Sequence, residues 1–196
     1  MSVQPIDGEA IAASLADPRA FGVIFERHFG VIHGYLRRRL DRTLADELAS
    51  QTFLVAFDGR ARFDRRRPDS RPWLFGIATN LARNHRRREI RELRAMAALA
   101  PDPAIGLDGV EARVDAERLR GELAEALAAL PAAEADVLAL LVWAELDQAE
   151  VAAALALPLG TVKSRLSRAR GRLARSLKGK PTPTATQSAN CATGGN

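Results

Sequence analysis

Apolar residues recur at spacings of three and four along most of this 196-residue chain, which is the period of a helix rather than of a strand. One early run shows the period plainly and comprises Phe21, Ile24, Phe25, Phe29, Ile32, Leu36 and Leu40. Alanine accounts for 37 residues and aromatic residues for only 5% of the chain, so the composition also favours helix over strand. We therefore predict an all-α fold.

Two kinds of core are expected, one after the other along the chain. All seven phenylalanines lie between Phe21 and Phe75, whereas the apolar residues of 119–177 are Leu, Val and Ala around a single Trp143. Residues 96–109 lose the helical period and gain Pro, Gly and Asp, as linkers do. The end of the chain has no apolar face to bury. The prediction is two small helical domains at 1–95 and 116–177, an acidic flexible linker at 96–115 and a disordered tail at 178–196.

The charges form three blocks along the chain. It carries 29 Lys and Arg against 24 Asp and Glu, and 26 of these cations are Arg. Residues 1–95 hold 18 cations and 12 acids, 96–147 hold 3 and 11, and 148–196 hold 8 and 1, so the net charges are +6, −8 and +7. Arginine makes forked contacts with phosphates and guanine edges. Basic regions on both sides of an acidic middle therefore favour nucleic acid as a partner.

Several classes of protein are excluded by what the sequence lacks. The single Cys191 rules out a disulfide framework and a cysteine-based zinc site, and His28, His33 and His85 are too scattered to replace it. We find no phosphate-binding glycine loop, no nucleophile placed with a histidine and no suitable carboxylate pair, so we expect neither an enzyme nor a cofactor or metal. No apolar run reaches the roughly 18 residues of a membrane span, and no secretory signal is recognisable, so we expect a cytoplasmic protein without membrane insertion.

Residues 147–177 have the spacing of a helix-turn-helix. Asp147 begins a capping box ahead of a short apolar helix, a turn is expected at 158–160, and Thr161 is the expected cap of the last helix. The buried seam of that helix is predicted to be Val162, Leu166, Ala169, Leu173 and Leu177. The outward side chains suit the major groove of DNA and are Lys163, Ser164, Arg165, Ser167, Arg168 and Arg172. The alternative is a helical hairpin with a solvated arginine face.

Two predicted helices of the first domain carry a polar face opposite their apolar one. One is expected to begin at Thr43 and end at Gly59, and its polar face consists of Asp46, Glu47, Ser50 and Gln51. The other is expected over about 73–91, and its basic, amide-rich face consists of Asn80, Arg83, Asn84 and Arg87. The basic run at 86–88 is also interpretable as a solvated face alone.

Two stretches of the sequence resemble a known family. Residues 71–89, RPWLFGIATNLARNHRRRE, are similar to the segment with which extracytoplasmic-function (ECF) sigma factors of the sigma-70 family bind the promoter −10 element. Residues 130–173 resemble their −35-reading domain, most specifically in PLGTVKSRLSRAR. The resemblance covers about residues 20–177. It implies a sigma factor that binds core RNA polymerase and promoter DNA, assists −10 melting, and has an anti-sigma factor as a further partner.

The resemblance also implies a role for each polar surface. The helix at 44–57 would dock on the largest polymerase subunit through Asp46, Glu47, Ser50 and Gln51, although the family often has Gln-Glu in place of Ser50 and Gln51. The −10 element would be bound by the loop 63–70 and by Arg71, Trp73, Asn80, Arg83, Asn84 and Arg87, where Asn84 replaces a common Asp. The −35 element would be read by Thr161, Lys163, Ser164, Arg165, Ser167, Arg168 and Arg172.

The acidic linker and the function as a whole each have alternative interpretations. The linker either imitates nucleic-acid charge inside the polymerase or is a plain spacer, and its acids are Asp102, Asp108, Glu111, Asp115 and Glu117. A free-standing helix-turn-helix regulator would account for residues 147–177 but would give the first domain no function. A helical enzyme with an unrecognised site is the alternative from another class, and no feature of the sequence favours it.

Overall fold

The computed structural model describes residues 6–99 and 115–178. Within these ranges the chain forms helices and no strand, so the predicted all-α fold is confirmed. Two short 3-10 helices lie at Pro18–Phe21 and Arg60–Arg62. In chain order the α-helices are α1 Asp7–Ala13, α2 Gly22–Arg37, α3 Arg42–Gly59, α4 Arg71–Leu99, α5 Asp115–Ala128, α6 Ala132–Val142, α7 Gln148–Leu155 and α8 Leu159–Lys178.

Helices α1 to α4 build a first unit around an aromatic core, as predicted. Tyr35 and Phe75 are almost fully buried, and their ring centroids lie 5.2 Å apart in an edge-to-face arrangement. The predicted cap of α3, Thr43, is wrong. Asp41 has the extended backbone of a cap, and its carboxylate accepts a hydrogen bond from Leu44 N at 3.1 Å, while Thr43 already lies in the first turn.

Helix α4 is 29 residues long and extends beyond its predicted end near Arg91. Because it reaches Leu99, the predicted linker at 96–115 begins inside this helix, and its last residue is the first of α5. Residues 100–114 and 179–196 are outside the described residues. They include most of the predicted linker with Asp102, Asp108 and Glu111, nearly all of the predicted tail, and Cys191.

Helices α5 to α8 build a second unit around aliphatic side chains. Its buried residues include Val137, Leu140, Val151, Val162, Leu166 and Ala169. The predicted capping box of α7 is confirmed, since Asp147 N donates to the Glu150 carboxylate at 2.7 Å and Glu150 N donates to the Asp147 carboxylate at 2.8 Å. The α8 seam is buried as far as Ala169, but Leu177 is 39% exposed, so its predicted burial is wrong.

The turn between α7 and α8 comes earlier than predicted. Ala156 ends α7 in the left-handed region with φ of 51°, and α8 begins at Leu159. Thr161 N donates to Pro158 O at 2.9 Å, so Thr161 lies inside the first turn and is wrong as the cap. The helix-turn-helix itself is present with the predicted order of elements.

The two units are packed against each other. Helix α4 contacts α7 and α6, and apolar residues of both units belong to one continuous core. The second unit therefore covers part of α4. In the described ranges, none of the helices combines the length and apolar character needed to span a bilayer.

Candidate nucleic-acid interface

An aromatic cleft lies at the start of α4. Phe63 precedes the helix and is buried, Trp73 stands in its first turn and is half-buried, and their ring centroids lie 5.0 Å apart. The cleft has a volume of about 420 Å³ and is also lined by Asn80, Arg62 and Arg67. An aromatic surface, a side-chain amide and two guanidinium groups together suit an unpaired base and the phosphates beside it.

The loop before α4 is held in place by α1, a helix that the sequence analysis missed. Asp7, with a side chain 4% exposed, accepts hydrogen bonds from the backbone N and the Oγ of Ser70 at 2.8 and 2.7 Å. The same carboxylate contacts His28 Nε2 at 2.7 Å and accepts a bond from Arg27. Burial alone would raise the pKa of Asp7, but the hydrogen bonds from His28 and Ser70 outweigh it and hold that pKa well below its ordinary value. Asp7 is thus a buried anion that ties α1 and α2 to the loop.

Glycine brings α1 close to the same loop. A Cβ at Gly8 would lie 2.4 Å from the carbonyl oxygen of Arg65, so no larger residue fits without moving the loop backbone. Helix α1 has seven residues, too few for its apolar period to be recognised, and its signal in the sequence is the acidic first turn with Asp7 and Glu9.

In the part of the chain that the structure describes, Asp7, His28 and Asp69 offer metal-ligand atoms within 4.8 Å of one another. These groups already serve as hydrogen-bond partners, since Asp69 accepts a bond from Arg71 N at 2.8 Å and Asp7 accepts several. Arg27 beside Asp7 adds a positive charge that opposes a cation. We therefore assign the group to support of the loop.

The residues predicted to bind the −10 element are divided between two surfaces. Trp73 and Asn80 lie in the aromatic cleft. Asn84 and Arg87, one and two turns further along α4, line a different groove against α3. The sequence pattern placed all four on one helix, but it did not show that α3 and the loop at 63–70 cover different parts of that helix.

Two other predicted −10 residues are bound by the second unit. Arg71 Nη2 donates to the backbone oxygen of Ala144 at 2.6 Å. Arg83 donates to Oδ2 of Asp136 from Nε at 3.1 Å and from Nη2 at 2.6 Å. Asp136 is a functional candidate that the sequence analysis missed, because it is 53 residues away from Arg83 in the chain.

The groove between α3 and α4 has a volume of about 770 Å³ and contains part of the predicted polymerase face. Glu47 and Gln51 line it. Asp46 instead contacts His33 Nε2 at 2.6 Å, and the hydroxyl of Ser50 donates to the backbone oxygen of Asp46 at 3.1 Å. Glu47 and Gln51 are therefore the members of this face that the groove presents to a partner.

Helix α8 presents most of its predicted DNA-reading face to solvent. Lys163, Ser164 and Ser167 are exposed, while Thr161 and Arg165 are half-buried. The buried seam on the opposite side of α8 fixes the direction of this face.

Two arginines of the same face lie close to a carboxylate of α6. Arg168 Nε and Arg172 Nε lie 3.7 and 3.1 Å from the carboxylate oxygens of Glu134, whose side chain is only 7% exposed. Both arginines remain at least half exposed, so Glu134 orients them without removing them from solvent. No pattern in the sequence of α8 indicates Glu134, because this residue lies on another helix.

Two family models match the chain. "Sigma-70 region 2" matches residues 24–92, which cover most of α2, all of α3 and most of α4. "Sigma-70, region 4" matches residues 120–173, which cover most of the second unit and the helix-turn-helix.

Individual proteins are similar over nearly the whole length. The RNA polymerase sigma factor CnrH of Cupriavidus metallidurans is 32% identical over 183 residues, which are 87% of this chain and 95% of that protein. The ECF RNA polymerase sigma factor RpoE of Cereibacter sphaeroides is 29% identical over 80% of this chain and 86% of its own length. The solved structure of CnrH in complex with the cytosolic domain of CnrY has a TM-score of 0.63 and 26% identity, covering 89% of this chain and 99% of that one.

Proposed function

Because the chain belongs to the ECF sigma factors of the sigma-70 family, we propose that its two units divide promoter recognition between them. A protein of this family is a transcription initiation factor that binds core RNA polymerase, directs it to promoters and assists −10 melting. In the proposed division, residues 1–95 bind the polymerase and the −10 element and residues 116–177 bind the −35 element. The observation that carries the proposal is the aromatic cleft with Asn80, on a chain that also exposes a helix-turn-helix.

The cleft provides what an unpaired −10 base requires. Phe63 and Trp73 offer ring surface for stacking. The amide of Asn80 both donates and accepts hydrogen bonds, so it can pair with a base edge that has lost its partner strand. Arg62 and Arg67 line the same cleft and supply positive charge for the strand's phosphates.

Helix α8 provides the groups needed to read duplex DNA at the −35 element. In a helix-turn-helix, the N-terminal residues of the second helix contact base edges in the major groove. Lys163, Ser164 and Arg165 occupy that position. Arg168 and Arg172 follow one and two turns later, and their anchoring by Glu134 favours backbone phosphates as their targets.

The partners and the location follow from the same assignment. We propose an anti-sigma factor as a further partner, because the solved structure of CnrH contains a second protein, the cytosolic domain of CnrY. We place the chain in the cytoplasm, since core polymerase and promoter DNA are there. We assign it no cofactor, metal or catalytic residue, because the polymerase performs the covalent chemistry and the chain itself is not an enzyme.

Run-off transcription on a library of promoters tests the function directly. Core RNA polymerase alone should give no promoter-specific transcript, and addition of this chain should produce defined start sites. A chain that binds duplex DNA without core polymerase, and leaves the transcripts of core polymerase unchanged, would be a free-standing regulator and would contradict the proposal.

The variant Glu47→Lys should weaken binding to core polymerase on the order of tenfold and reduce the run-off transcript in parallel. An exposed charge contributes little to folding but much to a complementary interface, so thermal unfolding should be unchanged. Glu47 is preferred to Asp46 because Asp46 already contacts His33. Titration of a fluorescently labelled chain with core polymerase measures the affinity.

Glu26→Lys is the matched control, because Glu26 is an exposed acid on α2 outside the groove. It should bind core polymerase as the wild type does. Equal affinities for Glu47→Lys and Glu26→Lys would reject the polymerase-binding role of the groove.

Arg165→Ala should cost about 1–3 kcal/mol of promoter affinity and relax the preference at a single base pair of the −35 element. Arg172, like Arg168, is proposed to contact a backbone phosphate, so Arg172→Ala should weaken binding to all promoter sequences alike. Affinity of the holoenzyme for a library with a randomised −35 element distinguishes the two patterns. Unchanged affinity and preference in both variants would show that α8 does not read this element.

A further inference from the structure

An acid of α6 lies against the cationic helix α8. Helix α8 contains seven Lys and Arg residues and no Asp or Glu. The carboxylate oxygens of Glu134, in the first turn of α6, lie 3.7 Å from Arg168 Nε and 3.1 Å from Arg172 Nε. Because the Glu134 side chain is only 7% exposed, its negative charge acts on the two arginines from a place that a DNA strand does not contact.

The buried Glu134 carboxylate is compensated by the charges of these two arginines. None of the residues that the structure describes donates a hydrogen bond to its Oε2. Both arginines face it with Nε, and their side chains are 60% and 50% exposed. The N–H donors on their Nη atoms therefore stay available, and arginine binds phosphate through such donors. A DNA phosphate and Glu134 would thus share the same two cations.

This position makes Glu134 a competitor of the DNA backbone. A phosphate on the outer side of either guanidinium would lie within about 10 Å of the carboxylate, which is about the Debye length at 0.1 M salt, so the two anions repel each other. Glu134 also restricts the positions that the two guanidinium groups take. Phosphates that fit those positions keep their contacts, whereas phosphates elsewhere require the arginines to leave the carboxylate. Glu134 therefore opposes binding in a wrong register more than binding in the right one.

We propose that Glu134 is a specificity-determining residue of the −35-reading domain, which acts by lowering the affinity of Arg168 and Arg172 for DNA of the wrong sequence. This inference rests on the proposed −35 role of α8. Phosphate contacts carry no sequence information directly, and each one releases counterions, so they make binding depend on salt. An acid behind the two arginines lowers this non-specific affinity and leaves the discrimination between sequences to the base-reading residues at the start of α8.

Two variants remove the charge of Glu134. Glu134→Gln does so at nearly constant volume, and it should fold because both arginines are at least half exposed and remain solvated without the carboxylate. Glu134→Met removes the charge with an apolar side chain of similar length, so it tests the proposal if the glutamine variant does not fold. Glu26→Gln makes the same chemical change at an exposed acid of α2 and is the matched control.

Fluorescence anisotropy of the holoenzyme measures binding to two labelled duplexes, a promoter found by run-off transcription and the same promoter with a scrambled −35 element. At about 50 mM KCl, Glu134→Gln should bind the scrambled duplex about fivefold more tightly than the wild type does, and the promoter less than about twofold more tightly. On the scrambled duplex, the slope of log K against log salt should be steeper by about 0.9, which corresponds to one further phosphate contact. Glu26→Gln should match the wild type on both duplexes.

A second comparison tests whether Glu134 acts through the two arginines. Arg168→Gln and Arg172→Gln together remove their charges and keep amide donors beside Glu134. In this background, the further change Glu134→Gln should leave the affinity and the salt slope unchanged. A variant that only damaged the fold would lower the active fraction of holoenzyme without altering the salt slope or the ratio of the two affinities.

Three outcomes overturn the role of Glu134, and a fourth rejects the −35 assignment beneath it. Unchanged affinity for the scrambled duplex in both charge-removing variants would show that Glu134 does not oppose DNA binding. Equal gains on the two duplexes would show that it does not determine specificity, and a gain that persists without the two arginine charges would show that it does not act through them. A wild-type holoenzyme that binds both duplexes equally would instead reject the −35 role of α8.

Discussion

Replacing Asp7 by Asn is expected to lower the free energy of unfolding by about 3 kcal/mol, although α1 has only seven residues. The carboxylate is nearly fully buried, and its loss leaves Arg27 and His28 beside an amide instead of an anion. Asn keeps an oxygen that can accept from Ser70, but its NH₂ group faces donors where Asp7 offered an acceptor. Denaturant unfolding followed by circular dichroism measures the loss.

The same variant should change how stability depends on pH. Burial would raise the pKa of Asp7, but the hydrogen bonds from His28 and Ser70 prevail, so its folded-state pKa lies below the ordinary value of 3.8. A group with a depressed folded-state pKa contributes stability that is present above its unfolded pKa and is lost as the pH falls through the folded one. The wild type should therefore lose stability more steeply below pH 3.8 than Asp7→Asn does.

Asp58→Asn is the matched control, because it makes the same chemical change at a carboxylate that is exposed on α3. Its free energy of unfolding should stay within about 0.5 kcal/mol of the wild type. Two results together would contradict the role given to the Asp7 contacts. The free energy of unfolding of Asp7→Asn would be less than about 1 kcal/mol below that of the wild type, and it would fall below pH 3.8 as steeply as that of the wild type does.

The helical period predicted what is local in the sequence. Spacings of three and four residues predicted the face of α2 with Ile24, Ile32 and Leu36 and the seam of α8 from Val162 to Ala169, and these side chains are buried. Helix ends were less predictable, because they depend on single residues with special backbone geometry. Ala156 adopts the left-handed conformation that normally favours glycine. Because α7 ends at this residue, the turn comes before the predicted 158–160.

Contacts between distant segments were beyond the reach of sequence patterns. Asp7 and Ser70 are 63 residues apart, and Arg39 and Asp136 are 97 residues apart. The local sequence around each of these residues gives no indication of which residue it contacts. Gly76 is a further example, since a glycine inside a helical pattern predicts only a weaker helix, whereas its role is to admit the backbone of α7. The roles of the candidate-site residues thus stay predictions from the sequence, and the side chains that support and cover them could not be predicted from it.

Promoter opening should require core polymerase and this chain together, and it should depend on Asn80. Extruding a base from the duplex costs a few kcal/mol, and a single cleft of about 420 Å³ can hold few bases, so the chain alone should leave the duplex closed. In the holoenzyme, Asn80→Ala should reduce permanganate reactivity of the −10 thymines on the order of tenfold, because the unpaired base loses its amide partner. Closed-complex affinity, measured on duplex DNA at low temperature, should be nearly unchanged.

Asn80 suits this test because it is exposed while its neighbours Ile77 and Leu81 carry the packing, so the variant should fold as the wild type does. Asn84→Ala is the matched comparison, since it removes the same amide one turn away, in the groove against α3. If the cleft is where the base is held, Asn84→Ala should reduce opening less than Asn80→Ala. Reactivity that does not need core polymerase, or an Asn80→Ala defect limited to duplex binding, would show that the cleft does not capture the melted strand.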